Sequence, residues 1–563
     1  MNPFIVNDFP VLTALILVPF VGAVGIAFLP NRRPDAIRAV TFATMATVLG
    51  LAGFLVAKFP LGTAGFVYRE SHSWLPTLGV RYSLGIDGIS LFVVLLTALL
   101  FPISMLASTK ISERPKSFAI WMLVLEAASL GVFLATDLIL FFIFFELVLV
   151  PMYFIIGGWG HGRRVYAAMK FFVYTMAGSA FLLVGILAIG FLRQADGHAL
   201  SFSYEALRAW APKGLDSGTA KWLFLAFFAA FAVKVPLVPF HTWLPDAHTE
   251  APTAGSVILA GVLLKMGTYG FLRFSLAFFP QASVDLVPFM MTLSVIGIIY
   301  GAVVATMQPD LKRLVAYSSV AHMGFVILGI FSITVQGIQG GIVTMVSHGL
   351  TTGALFLLIG FIYERRHTRK IADLRGLWRA APVLGGLTVI AVFASIGLPG
   401  FSGFIGEFLS LLGAFLSERP FAVVAATGVI LAAIYLLWAF QRAFTGRPEG
   451  DNATMADLNA RELCAVVPLL LLSLFLGLYP KPLLDRIEPA VQRVVVCVEG
   501  NTNYRAPKID PLKAPELAAT AVDGGHGTAD GGTKKVEASP EATRAAKDLD
   551  EVACYDSGRG AGR

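Results

Sequence analysis

Residues 138–158 read LILFFIFFELVLVPMYFIIGG, an apolar run with one carboxylate, Glu146, near its middle. A run of about 20 apolar residues is long enough to cross a bilayer as a helix. Such runs recur along the chain of 563 residues, of which 56% are hydrophobic and only 14% are charged. An average soluble domain carries roughly 25% charged residues, so this composition excludes a soluble globular protein and a disordered one. Alternating strand patterns are absent from the sequence, which disfavours a membrane barrel.

Fourteen apolar segments predict an all-α membrane protein. They cover residues 9–29, 36–58, 86–108, 117–135, 138–158, 166–192, 221–240, 252–278, 285–307, 313–333, 338–362, 383–416, 420–441 and 459–479. Prolines and glycines interrupt the seventh segment at 236–239 and the twelfth at 397–403, which predicts that helices 7 and 12 are broken. Loop lysines and arginines number 20 on one side and 8 on the other. The positive-inside rule then predicts both chain ends on the outer, periplasmic face of a bacterial inner membrane or an equivalent energy-coupling membrane.

Two short sequence matches indicate an internal repeat. Residues 181–185 resemble 356–360 at an offset of 175, and residues 257–260 match 429–432 at an offset of 172. The shared spacing predicts two five-helix units, the second inverted because five is odd. The predicted division is 1–116 (helices 1–3), 117–278 (first repeat, helices 4–8), 285–445 (second repeat, helices 9–13), 446–485 (helix 14 and flanks) and 486–563. The last part is predicted to be a hydrophilic, disordered tail.

Cofactor and nucleic-acid binding signatures are missing from the sequence. It contains no Gly-Lys dipeptide and no G-x-G-x-x-G, which excludes a P-loop and the usual dinucleotide-binding turn. The three cysteines form no C-x-x-C pair, so no iron–sulfur or zinc ligation is expected. Cys497 and Cys554 could pair in the tail if the compartment is oxidising. The net charge of +7 does not argue for nucleic acid, because membrane proteins carry such an excess in loops.

Six ionisable residues fall near the middle of predicted spans or just after a break. They are Glu146, Lys234, Lys265, His322, His348 and Glu407. An ionisable group at the bilayer centre costs at least about 2.5–3.5 kcal/mol, so retaining six of them indicates a function. Carboxylate, ammonium and imidazole groups all bind and release protons. Na⁺ prefers a cage of oxygen ligands, so a set that is half nitrogen favours H⁺ as the transported ion.

Structural interpretations of these residues stay open. Glu146 and Lys234 could form an inert buried ion pair, and His322 and His348 could merely bridge helices by hydrogen bonds. His248, in a loop, could carry protons between the inner face and Lys265. A metal site at His248 and its neighbour His241 is not expected, because no cysteine or third histidine accompanies them.

Four long blocks of the sequence resemble the antiporter-like subunits of respiratory complex I and their relatives in multisubunit cation/proton antiporters. The blocks are KVPLVPFHTWLPDAH (234–248), LLKMGTYG (263–270), KRLVAYSSVAHMG (312–324) and SHGL (347–350). The resemblance covers about residues 5–485 and leaves the tail outside. Residues 137–153 and GLPGFSGFIGEF (397–408) resemble one branch of that family, since the L-type and N-type sister chains carry lysine where Glu407 stands.

The resemblance implies a proton-translocating subunit of NADH:quinone oxidoreductase, set in the lipid bilayer between L-type and N-type antiporter-like chains. It implies that Glu146 and Lys234 are the coupling pair, that Lys265 is the central relay and that Glu407 faces the exit or the next subunit. His248, His322 and His348 would support that relay. No redox centre is expected in this chain, because NADH, FMN, iron–sulfur clusters and quinone would bind partner subunits. Three alternatives remain: a subunit of a Na⁺/H⁺ antiporter, a membrane subunit of a hydrogenase complex, and a purely structural scaffold.

Overall fold

The computed structural model describes residues 9–507, and helices dominate them. The helices are α1 (Val11–Phe28), α2 (Pro34–Lys58), α3 (Gly88–Ala107), α4 (Pro115–Leu134), α5 (Leu138–Trp159), α6 (Arg164–Ala195), α7 (Tyr204–Gly214), α8 (Ser217–Lys234), α9 (Trp243–Glu250), α10 (Thr253–Phe278), α11 (Pro280–Asp285), α12 (Val287–Thr306), α13 (Leu311–Phe331), α14 (Val335–Arg366), α15 (Leu377–Ala380), α16 (Pro382–Ser395), α17 (Ser402–Ser417), α18 (Arg419–Phe444), α19 (Ala460–Leu478) and α20 (Lys481–Gly500).

Twelve of the described helices are long and apolar enough to cross a membrane, and each overlaps one predicted segment. This confirms the prediction of a multi-pass, all-α membrane protein. The most apolar windows of α10 and α14 are wholly buried, whereas only 33% of the corresponding windows of α2, α18 and α19 is buried. α10 and α14 therefore form the centre of the protein, and the other three present apolar surface to lipid or to partner chains.

The two remaining predicted segments are the ones that prolines and glycines interrupt. α8 ends at Lys234 and the helix resumes only at Trp243 in α9. Pro236 lies just after α8, and a proline there removes a backbone donor and clashes with the preceding turn. α16 ends at Ser395 and α17 begins at Ser402. Both interruptions leave a helix end inside the protein, close to a predicted ionisable residue.

Glycines line the contact between α14 and α17. A Cβ atom on Gly340 would meet the backbone nitrogen of Ser410 and would lie 2.7 Å from the carbonyl carbon of Leu409. A Cβ atom on Gly406 would lie 2.7 Å from the backbone nitrogen of Thr344. Small residues let helix backbones approach closely inside a membrane. This contact sets the position of α17, which carries Glu407.

Replacing Gly340 by alanine is therefore expected to destabilise the protein. The methyl group would press on backbone atoms that cannot move aside, and overpacking of this kind costs about 1–3 kcal/mol. Gly386 is the matched control, because a Cβ atom there meets nothing within 4 Å. The thermal midpoint of the purified assembly should fall for G340A and stay within error for G386A. Equal midpoints for the two variants would contradict the close contact of α14 with α17.

A β-hairpin between α2 and α3 was not predicted. Strands β1 (Val67–Leu75) and β2 (Val80–Ile86) pair in antiparallel register. Most of β1 is exposed or half-exposed, so its residues are too polar to stand out as a strand in the sequence. The hairpin fixes the start of α1, because Glu70 accepts hydrogen bonds from the backbone nitrogens of Leu12 at 2.8 Å and Thr13 at 3.0 Å.

The predicted start of the tail at residue 486 is wrong. The chain continues as α20 from Lys481 to Gly500. Apolar residues recur there every three or four positions, and Leu483, Ile487 and Val491 are at most 1% exposed. One apolar face thus packs on the protein although the average composition is polar. From residue 508 onward the predicted tail lies outside the described residues, and so do Cys554 and its predicted pairing with Cys497. The division of the chain into repeats stays a prediction.

Candidate functional site

Four of the predicted site residues form one buried row at the centre of the protein. Nδ1 of His322 lies 2.7 Å from Oε1 of Glu407. The imidazole rings of His322 and His348 have centroids 5.8 Å apart. Nδ1 of His348 lies 2.7 Å from Nζ of Lys265. The row therefore runs from Lys265 on α10 through His348 on α14 and His322 on α13 to Glu407 on α17.

The break before α17 places Glu407 at one end of this row. Glu407 lies in the second turn of the helix that begins at Ser402. A Cβ atom on Gly397 would lie 3.1 Å from Oε2 of Glu407, and Gly397 has a φ of 74°. Glycine favours this left-handed conformation at no steric cost. The chain can thus turn tightly around the carboxylate while its side chain is only 5% exposed.

Lys265 sits in a helix whose hydrogen-bonding pattern changes on both sides of it. Two five-residue stretches of π-helix, Leu259–Leu263 and Phe271–Ser275, flank it. Inserted π-helical turns are frequent at functional sites. Nζ of Lys265 donates a hydrogen bond to the carbonyl of Ala260. This ammonium group is fully buried, and its described contacts are therefore one carbonyl and one imidazole.

Lys234 and Glu146 belong to the first half of the protein and make a looser arrangement. Lys234 is the last residue of α8 and is 1% exposed. Its Nζ lies 4.6 Å from the centre of the Phe145 ring, a distance suited to a cation–π contact. Among residues 9–507, this Nζ has no hydrogen-bond partner. The Glu146 carboxylate and the Lys234 ammonium are thus not in direct contact.

The two halves of the site meet where α8 packs on α10. A Cβ atom on Gly267 would lie 2.9 Å from Cβ of Lys234 and 2.7 Å from a methyl carbon of Val235. Only a glycine permits this approach without displacing α8. Lys234 therefore lies beside α10 at Gly267, and Lys265 is two residues before Gly267 on that helix.

His248 is a further buried histidine among the predicted residues. It is completely buried on α9, and its ring stacks on Phe356 with centroids 4.7 Å apart and an interplanar angle of 7°. Neither ring nitrogen of His248 has a hydrogen-bond partner within the described part of the chain. The structure thus buries six of the seven predicted residues, leaves Glu146 half-buried, and places four of them in one row.

Buried polar atoms without a protein partner cluster along this site. Within residues 9–507 they include Oε1 of Glu146, Nζ of Lys234, and Nε2 of both His322 and His348. Buried polar groups in folded proteins are hydrogen-bonded either to protein or to ordered water. The surroundings of these atoms are therefore suited to water, which can carry protons between side chains that do not touch.

Lys312 is a buried cation that the sequence reasoning did not single out. It lies in the first turn of α13, is 5% exposed, and donates a hydrogen bond through Nζ to the carbonyl of Ala251. Its position near a predicted span end concealed its burial.

Among the described residues, no group of three or more His, Cys, Asp or Glu side chains is arranged to hold a metal ion.

Comparisons with known proteins agree on one family. Residues 135–434 match the model of the transmembrane family described as NADH:quinone oxidoreductase/Mrp antiporter. NADH-quinone oxidoreductase subunit M of Rhodobacter capsulatus is 44% identical over 496 residues, covering 87% of this chain and 96% of its own. NADH-ubiquinone oxidoreductase chain 4 of Marchantia polymorpha is 42% identical over 498 residues, covering 88% and 98%. A chain of respiratory complex I from Thermus thermophilus is similar in structure, with a TM-score of 0.79, 32% identity, and coverage of 86% and 99%.

Proposed function

This chain belongs to the NADH:quinone oxidoreductase/Mrp antiporter membrane family, and we propose that it is the M-type, proton-translocating subunit of a respiratory NADH:quinone oxidoreductase. The observation that carries this proposal is the buried row from Lys265 to Glu407, in which two hydrogen bonds of 2.7 Å join amine, imidazole and carboxylate groups. A structural scaffold gains little from such a row, because ionisable groups are costly inside a membrane.

Each bond of the row is suited to proton transfer. A heavy-atom distance of about 2.6–3.2 Å lies within reach of direct transfer between an acid and a base. Between Lys265 and His348, and again between His322 and Glu407, the distance is 2.7 Å. The two imidazoles, with centroids 5.8 Å apart, need one intervening water molecule, and the partnerless Nε2 atoms of both rings are available to it.

Lys234 and Glu146 supply the electrostatic control. Two opposite unit charges 4 Å apart interact by about 4 kcal/mol at an effective dielectric constant of about 20. Bringing the Glu146 carboxylate to Lys234, or moving it away, therefore changes the free energy of holding the proton on Lys234 by a similar amount. In this structure Nζ of Lys234 lies against the Phe145 ring, which corresponds to the released arrangement.

The proposed sequence of steps follows the row. A charge change that arrives from a neighbouring antiporter-like subunit draws Glu146 away from Lys234. Lys234 then releases its proton through water to Lys265, and the proton passes along His348 and His322 to Glu407. Return of Glu146 toward Lys234 favours a new proton on the lysine, and His248 helps to reload the site from the inner face through Lys265. Glu407 releases its proton toward the exit, so that each group regains its starting protonation state at the end of the cycle.

The assembly follows from the same premise. The chain is a multi-pass membrane protein, and its partners are other subunits of complex I. We place L-type and N-type chains on either side of it and both chain ends on the outer face. The excess of loop lysines and arginines on the opposite side supports this orientation. NADH oxidation and quinone reduction belong to partner subunits, and this chain supplies only proton-carrying side chains.

Purification of the tagged full-length chain from its native membrane tests the proposed function. We expect inhibitor-sensitive NADH:quinone reductase activity to co-purify with the chain in mild detergent. A chain lacking the tag, carried through the same purification, is the control for non-specific retention. A stable complex that lacks this activity, but exchanges Na⁺ for H⁺ after reconstitution in vesicles, would overturn the proposal in favour of an antiporter subunit.

A further inference from the structure

The turn that follows α9 is held by loops that reach the protein surface. The backbone nitrogen of His161 donates to the carbonyl of Glu250 at 2.8 Å. Arg369 donates through Nη1 to the carbonyl of Thr249 at 2.6 Å. Glu250 itself is half-buried, and the neighbouring Arg163 is exposed. The end of α9 thus lies at the boundary between solvent and the protein interior.

Lys312 extends from this boundary toward the interior. Its Nζ is bonded to the carbonyl of Ala251, directly after Glu250. Ala251 also lies three residues after His248. Lys312 is therefore held at the turn that connects an acid that solvent can reach with a histidine that it cannot.

Burial increases steadily along these groups. Glu250 is half-buried, Lys312 is 5% exposed, and both His248 and Lys265 are fully buried. All four side chains are of types that bind and release protons. Glu250 and His248 belong to the turn 248–251, and Lys312 on α13 is bonded to the same turn. Lys312 is not part of the row from Lys265 to Glu407, in which Lys265 already provides the ammonium group. The burial of a second lysine at this point therefore needs its own explanation.

We propose that Glu250, Lys312 and His248 form the loading end of the proton row, through which protons from the solvent on the basic face reach Lys265. This inference rests on the proposed function and adds Glu250 and Lys312 to it. The Lys312 ammonium gives a proton to the His248 imidazole, which gives one to Lys265. A proton from solvent, bound first by the Glu250 carboxylate, then passes to the amine of Lys312 and restores the ammonium. Glu250, Lys312 and His248 each return to their starting state.

The environment of Glu250 is consistent with a group that collects protons. Burial raises the pKa of the Glu250 carboxyl, while the charges of Arg369, Arg163 and Lys312 oppose that rise. The acid thus gives up its proton more readily when a cation stands nearby. The hydrogen bond from Nζ of Lys312 to the carbonyl of Ala251 holds the amine at the residue that follows Glu250.

Two substitutions of Lys312 separate a proton carrier from a structural anchor. Methionine removes the charge and the hydrogen bond to Ala251, whereas arginine keeps both but does not release a proton. We expect K312M and K312R alike to lower the proton-pumping rate of the assembled complex roughly tenfold or more, since loss of a proton-transfer group costs at least that much. Arg313, the next residue, is the matched control, and R313M should pump at the wild-type rate.

The measurement is NADH-driven acidification of inverted native membrane vesicles, with rates divided by the amount of assembled complex. Pumping by K312R at the wild-type rate would overturn the inference, because an anchor alone would then suffice. E250Q is the second test, expected to lower pumping while E250D retains part of it, and it decides the matter if neither Lys312 variant assembles. A K265M variant is run alongside: if K265M alone loses pumping, the loading end is wrong but the proposed function stands, and if no variant loses pumping, both fail.

Discussion

Replacing Lys265 by methionine is expected to reduce proton pumping by the assembled complex roughly 100-fold, the effect of removing one positioned proton-transfer group. Lys265 is the residue at which the first half of the site, the loading groups and the row of histidines converge. Its Nζ lies 2.7 Å from His348, and α10 packs directly on α8 beside Lys234. Methionine has a similar length and no charge, so it fits the buried position while it interrupts the row.

Proton pumping by K265M is measured in inverted vesicles and compared with T268V, a matched control one turn along the same helix. Thr268 donates through Oγ1 to the backbone carbonyl of Lys265 at 3.0 Å and contacts Sδ of Met345 at 2.8 Å, but it bonds no ionisable side chain of the row, so T268V should pump normally. Electron transfer measured with an uncoupler shows whether the complex is intact. Normal pumping by K265M would remove Lys265 from the proposed path.

Replacing Glu407 by glutamine is the second change with a large expected effect. Glutamine keeps the shape of the side chain and a hydrogen bond to His322, but it cannot accept the proton that His322 delivers. We expect roughly a 10- to 100-fold lower pumping rate, since removal of a general base costs about that much. E407D retains a carboxylate and should recover part of the rate.

Ser410, one turn further along α17, provides the control for E407Q. Its hydroxyl is fully buried and has no partner among the described side chains, so S410A changes polarity in the same helix without touching the row. The pumping rates of E407Q, E407D and S410A are compared in vesicles of equal complex content. If E407Q and S410A pump equally well, Glu407 does not carry protons.

Much of the membrane fold could be predicted from the sequence because each span is long and apolar. The broken helices were also visible, since Pro236 and Gly397 fall inside apolar segments and cannot continue a helix there. The hairpin at 67–86 and the helix Lys481–Gly500 were missed for a different reason. The apolar residues of the helix face one side only, so its average composition is polar, and the first strand of the hairpin is mostly exposed and polar. Only the structure reveals these two elements.

The site could be predicted residue by residue but not contact by contact. The insertion cost of charged groups identified Lys265 and Glu407, because polar side chains are rare at the centre of a span. The sequence did not indicate that His322 on α13 would bond to Glu407 on α17. The distance between these side chains depends on the position of α17, which glycine contacts with α14 determine. Nor did it indicate that Lys234 would lie against Phe145 instead of on Glu146. Lys312 was overlooked because burial near a span end is decided by neighbouring loops.

The proton-to-electron ratio of the complex with Lys234 replaced by alanine tests the central claim most directly. The account requires this lysine to exchange a proton in every cycle, under the control of Glu146. Inverted vesicles that carry the assembled K234A complex should therefore translocate fewer protons per NADH oxidised than wild-type vesicles do. A ratio equal to that of the wild type would contradict the account, because electron transfer would then drive the full number of protons without Lys234.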